Sequence, residues 1–172
     1  MRYAALILSL LLTLAPGAVS AQSMNVPLIL QRVLTEICGP LMQTDDMAAA
    51  LRTAMEQGYR PIDWSKTDDF DPADPPRRVV LSGDASHIGT LTLARGRRGQ
   101  CAIDMAEAGV HQIVERSEEH LSALGLTLVY QGGEGRNVAA VWTGEGRVAV
   151  AQPGLTSPGH MLAISWDRPV AP

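Results

Sequence analysis

The chain has 172 residues, of which 46% are hydrophobic and 19% charged, with a formal net charge of −4 at pH 7. This acidic balance argues against nucleic acid or an anionic membrane surface as a partner, because both attract a concentrated basic surface. No repeat or long low-complexity segment suggests a second domain, and the length suits one domain with an interior of its own.

The first 21 residues are typical of a cleavable signal peptide. Arg2 gives a positive start, an apolar run covers 4–14, and the small residues of 18–21 offer a peptidase site after Ala21. The run is too short to span a bilayer, and no later stretch of about 18 apolar residues follows. We therefore predict a periplasmic or secreted product with no membrane span and one domain over 22–172. An uncleaved N-terminal anchor is the alternative.

The chain contains two cysteines, Cys38 and Cys101. Exported proteins fold in oxidising compartments, where an even number of cysteines usually forms disulfides. We predict a Cys38–Cys101 bridge, and the chain-entropy treatment gives it a stabilising effect of roughly 4 kcal/mol. Redox-active or metal-binding thiols are the alternative, and the lack of a Cys-x-x-Cys motif disfavours them.

The mature chain is predicted to begin with an amphipathic helix. Apolar residues recur at three- and four-residue steps from Val26 to Leu41, which places them on one face. Cys38 lies one turn after Leu34 on that face, so its side chain is expected to point into the core. The Gly-Pro pair at 39–40 is expected to end the helix.

A second helix is predicted to begin at the Thr-Asp-Asp sequence of 44–46, which provides a cap, and to stop at Gly58. The segment 68–78 (DDFDPADPPRR) then combines acidic residues with three prolines. Because proline neither continues a helix nor fits a central strand, this segment is predicted to be a loop that leads into a sheet.

The rest of the chain is predicted to form strands around a third helix. The strands are expected over 79–81, 90–94 and 100–103, the helix over 110–124, and four more strands over 126–131, 138–142, 147–151 and 161–166. Cys101 and Ile103 alternate onto one strand face, so the bridge would join helix to sheet. The order predicts an α+β domain, with helices packed on one face of an antiparallel sheet.

Three short motifs resemble a group of small exported alphaproteobacterial proteins of unknown function. They are the cysteine in the first helix, the sequence GYRP at 58–61 followed by Trp64, and GQCAI at 99–103. The resemblance extends over most of the mature chain in layout. It implies no catalytic residue.

Two groups of residues are candidates for contact with a partner. Arg95, Arg97 and Arg98 lie in a predicted hairpin turn, where guanidinium groups beside exposed amides can hold a phosphate or carboxylate. Ordinary protection of a sheet edge is the alternative for these arginines. Tyr59 and Trp64, at the exit of the second helix, are candidates for a surface contact.

Signals for metal binding are weak. His111, Glu115 and Glu119 share a helix face and offer nitrogen and oxygen ligands, but a solvated surface explains them more simply. No metal and no cofactor are predicted.

Two functional hypotheses remain from the sequence. The first is a non-enzymatic periplasmic module that binds a protein, peptide or envelope component through its sheet edge or the arginine-rich turn. The alternative is a hydrolase of unfamiliar type that uses His87 or His160 with a nearby serine or aspartate.

Overall fold

Helices and strands account for most of the chain that the computed structural model describes, namely residues 25–62, 75–83, 89–106, 108–132, 138–154 and 159–168. The helical segments are α1 (Val26–Arg32), a π-helical turn (Val33–Cys38), α2 (Gly39–Thr44), α3 (Met47–Glu56) and α4 (Val110–Ala123). The strands are β1 (Arg60–Pro61), β2 (Arg78–Ser82), β3 (Gly89–Ala94), β4 (Arg98–Met105), β5 (Thr127–Gln131), β6 (Ala140–Gly144), β7 (Arg147–Pro153) and β8 (His160–Asp167). The predicted signal peptide, Trp64 and His87 lie outside the described residues.

The first helix continues through Gly39 and Pro40, so the predicted break there is wrong. The π-helical turn connects α1 directly to α2, and the Gly39 amide donates to the carbonyl of Leu34, five residues earlier. A proline has no amide proton and its ring clashes with the carbonyl four residues back in a regular helix. The wider turn places Pro40 in the first turn of α2, where the missing amide proton costs no hydrogen bond of that helix.

The second helix has the predicted cap. Asp46 precedes α3, and its Oδ1 accepts a hydrogen bond from the Ala49 amide at 2.9 Å. The Thr44 hydroxyl in turn accepts one from the Asp46 amide at 3.2 Å. Between the two helices, Asp45 takes a left-handed conformation with φ of 61°, which reverses the direction of the chain.

All eight strands form one antiparallel sheet in the order β1-β2-β3-β4-β8-β7-β6-β5, which confirms the predicted α+β class. The seven predicted strands are present. The structure adds β1, a two-residue strand paired with β2, so that four strands precede α4 instead of the expected three. Two meanders, β1–β4 and β5–β8, therefore meet where β4 pairs with β8.

Each meander follows a helix that ends in the same way. Gly58 after α3 and Gly125 after α4 have positive φ angles of 95° and 77°. The next amide, of Tyr59 or Leu126, donates to a carbonyl five residues earlier in its helix, at 3.0 Å and 2.9 Å. This hydrogen bond is typical of the Schellman motif. The chain thus contains two helix-plus-four-strand units that join through their last strands.

The helices pack against one face of the sheet and share one hydrophobic core with it. On the helices, the predicted apolar positions from Val26 to Leu41 are buried. From the sheet, the core receives alternate residues of β2, β3, β4, β6, β7 and β8, among them Val79, Leu81, Leu91, Leu93, Ile103, Trp142, Ala149, Leu162, Ile164 and Trp166.

The predicted disulfide is confirmed. Cys38 and Cys101 are joined with an S–S length of 2.05 Å and a Cα–Cα distance of 5.6 Å. Cys38 lies in the π-helical turn and Cys101 in β4, and the two residues are 2% and 1% exposed. The bridge therefore joins the first helix to a central strand inside the core.

Candidate functional site

The face of the sheet opposite the core, here called the outer face, carries mostly uncharged side chains. Strand residues that alternate with the buried ones point to this face. Pairing places one such residue from each of six neighbouring strands side by side, namely Val80, Thr92, Ala102, Ala163, Val150 and Val141. A strip of small and β-branched side chains therefore crosses the outer face.

A groove with a volume of about 540 Å³ runs across the strands beside this strip. We call it the outer groove, and its floor is formed by outward residues of β3, β4, β8, β7 and β6, which are Ala94, Gln100, Ser165, Val148 and Thr143. These residues offer methyl groups, two hydroxyls and one amide, and none of them is charged. Such a surface suits hydrogen bonding to a neutral ligand.

Charged residues lie at the rim of the outer groove. Arg98 Nε is 3.6 Å from Asp167 Oδ1, and the two side chains are 89% and 72% exposed. An ion pair this exposed is screened by water and contributes little to stability. Arg98 and Asp167 can therefore separate from each other and bind charged groups of a ligand instead.

The three arginines predicted to form an anion site have separate environments. Arg95 Nη2 donates to the Pro75 carbonyl at 2.9 Å, the Arg97 side chain is exposed, and Arg98 belongs to β4 at the groove rim. The Gly96 amide, in the turn between them, donates to Asp45 Oδ1 at 3.1 Å. An internal carboxylate therefore already occupies the Gly96 amide, one of the backbone donors that the turn would offer to an anion.

A second cleft, of about 730 Å³, lies between the ends of α2 and α4 and the β6–β7 turn. Two arginines in it bind helix ends. Arg168 Nη2 donates to the Leu41 and Met42 carbonyls at 3.1 Å each and lies 3.5 Å from Asp45 Oδ1. Arg147 Nη1 donates to the Leu124 carbonyl at 2.7 Å. Cations that bind the C-terminal carbonyls of a helix stabilise that helix. The two arginines of this cleft therefore have a structural role.

Substitution of Arg168 by Met is expected to lower the free energy of unfolding by about 1 kcal/mol, because two helix carbonyls lose their donor. Urea unfolding followed by circular dichroism measures the change. Arg97→Met is the matched control, since the Arg97 side chain is exposed, and its unfolding midpoint is expected to equal that of the wild type. Equal midpoints for both variants would contradict the role given to Arg168.

His160, one of the two histidines considered for hydrolysis, is bound to the backbone. Its Nδ1 lies 2.9 Å from the Ala108 carbonyl oxygen, and because a carbonyl only accepts, Nδ1 is the donor of this hydrogen bond. The second histidine, His87, and the nearby serines Ser86 and Ser157 fall outside the described residues. Within the described residues, no group of three or more metal-ligating side chains is present.

The prediction of a surface contact at Tyr59 is wrong. Tyr59 is 1% exposed and belongs to the core. It directly follows the Schellman motif of α3, where the chain turns back towards the sheet and a large side chain packs under the helix end. Trp64, its predicted companion, lies outside the described residues.

The outer groove was not predicted from the sequence. A signal for it exists in β7, where Val148 and Val150 alternate with the buried Ala149 and Ala151, so that both faces of the strand are apolar. In a sheet covered by helices on one face, the other face is usually polar. Apolar residues on both faces therefore mark the outer face as unusual.

No protein-family model, curated protein or solved structure matches the chain. Among the described helices, none combines the length and the apolar character needed to cross a membrane.

Proposed function

We propose that the protein is an exported, non-enzymatic binding module and that the outer groove holds its partner. The single observation that carries this proposal is the groove itself, whose uncharged floor is assembled from five neighbouring strands. A rigid sheet positions such a floor precisely enough for recognition without mobile loops. The partner is a periplasmic protein or an envelope component with amide or hydroxyl groups.

The chemistry of the groove supports binding of a neutral segment. Gln100, Ser165 and Thr143 provide side-chain donors and acceptors, while Ala94 and Val148 provide apolar contact. A small number of polar groups among apolar ones is typical of ligand sites. The exposed Arg98–Asp167 pair at the rim gives a charged partner residue of either sign a place to bind.

Export is the second part of the proposal. It rests on the signal-peptide pattern in the first 21 residues and on the resemblance to small exported proteins. The disulfide supports it, because bridges of this kind persist in oxidising compartments and are rare in the cytosol. The expected location is therefore periplasmic or extracellular.

Site-specific photo-crosslinking in cells tests the groove. A photoreactive residue in place of Val148, which is 41% exposed on the groove floor, is expected to give one discrete adduct. The matched control is the same residue in place of Glu118, which is exposed on α4 at the helical side of the domain. The control is expected to give no adduct of that mass.

A charge on the floor provides the second test. Adding Ser165→Arg to the crosslinking variant is expected to reduce the Val148 adduct more than about tenfold, because a partner would then bury an unpaired charge. Adducts of equal yield from Val148 and Glu118, or no adduct from either, would contradict the proposed site. Turnover of an ester or peptide that His160→Ala abolishes would favour the hydrolase alternative.

A further inference from the structure

The strand β5 forms one end of the sheet and is the more open of its two edges. Within the described residues it pairs with β6 alone. Val129 and Tyr130 on this strand are 59% and 44% exposed, and Val129 is the most exposed of the large hydrophobic side chains described. An unpaired edge that also exposes apolar side chains is a template for pairing with another chain.

The opposite edge ends in β1, a strand whose own sequence discourages pairing. β1 has only two residues, one of which is Pro61, and the Arg60 guanidinium donates to the Met55 and Tyr59 carbonyls at 2.6 Å and 2.7 Å. Shortness and proline are devices that discourage pairing at sheet edges. The two ends of the sheet therefore differ in their capacity to accept another strand.

The β5 edge lacks most of these devices. From Thr127 to Gln131 it has five residues without a charge or a proline (TLVYQ), and three of them are β-branched or aromatic. A bulge between Leu128 and Tyr130 is its one irregularity. That bulge contains Val129, so the residue displaced from the regular ladder is also the one with the largest exposed apolar surface.

We propose that β5 pairs antiparallel with β5 of a second copy of this chain, which gives a two-fold dimer with one continuous sheet. In such a dimer each Val129 lies near the axis and meets its own counterpart. Self-pairing brings no like charges together, because the strand is uncharged. The chain already joins its two halves by antiparallel pairing of β4 with β8, and the proposed contact repeats that arrangement between copies.

The size of the edge sets the strength of the dimer. Five residues a side are far fewer than the roughly 20–30 of a standard interface, so the contact is transient. We expect a dissociation constant on the order of 10–100 µM. The dimer does not depend on the outer groove, because the groove floor ends at β6.

Sedimentation equilibrium of the mature chain from about 10 µM to 1 mM is the direct test, and the wild type is expected to show a monomer–dimer equilibrium. Val129→Lys is expected to weaken the dimer more than about tenfold, because two ammonium groups then meet at the axis. The matched control is Val80→Lys, at an exposed valine on β2 near the other edge, and it is expected to leave the equilibrium unchanged.

Mixing two charged variants tests the geometry of the contact. Val129→Lys and Val129→Glu are each expected to dimerise more weakly than the wild type when alone and to form a tighter mixed dimer together, because opposite charges then face each other. Circular dichroism confirms that each variant is folded. A wild type that is monomeric at 1 mM overturns the proposal, as do a Val129→Lys chain that dimerises normally, a mixture that dimerises no more tightly than either variant alone, and a Val80→Lys chain that loses the dimer.

Discussion

Removal of the Cys38–Cys101 bridge is expected to lower the free energy of unfolding by about 4 kcal/mol. The bridge spans a sequence separation of 63 residues, and in the unfolded chain it restricts a loop of that length. A loss of this size is a large share of the roughly 5–15 kcal/mol by which single domains are stable. The double variant Cys38→Ala/Cys101→Ala is therefore expected to be folded at 25 °C but only marginally stable.

Urea unfolding of the wild type and the double variant measures this loss, with an expected fall in the midpoint of about 2 M. Reductant provides the control. Reductant is expected to act slowly on the folded wild type, because both cysteines are buried. Once the wild type has been reduced in the unfolded state, its unfolding midpoint is expected to equal that of the variant. The unfolding midpoint of the double variant is expected to be the same with and without reductant. Equal midpoints for oxidised wild type and double variant would show that the bridge adds no stability.

The sequence predicted those features that depend on local periodicity. The helical stripe around Leu34 and the alternation of Cys101 with Ile103 each place one face of an element in the core, whatever that element packs against. Because both cysteines lie on such faces, their pairing followed from the sequence. The strand segments could also be predicted, since glycine-rich turns separate them.

Other features depend on tertiary pairing that no local pattern specifies. Pro40 looks like a helix end, but it follows a π-helical turn that packs against α3 and is joined to β4 by the disulfide, and this turn accommodates the proline. β1 is too short to have a periodicity and exists because β2 lies beside it. The outer groove needs β8 between β4 and β7, an order that brings Gln100 next to Ser165 across 65 positions of sequence. Its residues could therefore not be grouped in advance.

Gly99 shows how a tertiary contact determines which side chain a position can accommodate. The predicted strand began one residue later, at 100, but Gly99 is the second residue of β4 and pairs with Trp166 of β8. The Trp166 indole lies against it, so a Cβ atom at Gly99 would overlap ring atoms Cε2, Nε1 and Cζ2. Both residues are buried, which leaves the ring little room to move.

Gly99→Ala is therefore expected to lower the free energy of unfolding by about 3 kcal/mol, because the methyl group displaces the indole within a packed core. Urea unfolding followed by tryptophan fluorescence measures both the stability and the environment of the ring. The expected result includes a red-shifted emission from a more exposed Trp166.

A double-mutant cycle separates this clash from any general effect of alanine on the strand. In a Trp166→Leu chain, the smaller side chain leaves space above residue 99, so that adding Gly99→Ala is expected to cost less than about 1 kcal/mol. The same cost in both backgrounds would mean that the indole is not what requires glycine there. Because Gly99 and Trp166 also line the outer groove, a real clash would also alter its shape, and Gly99→Ala would then weaken the crosslink formed at Val148.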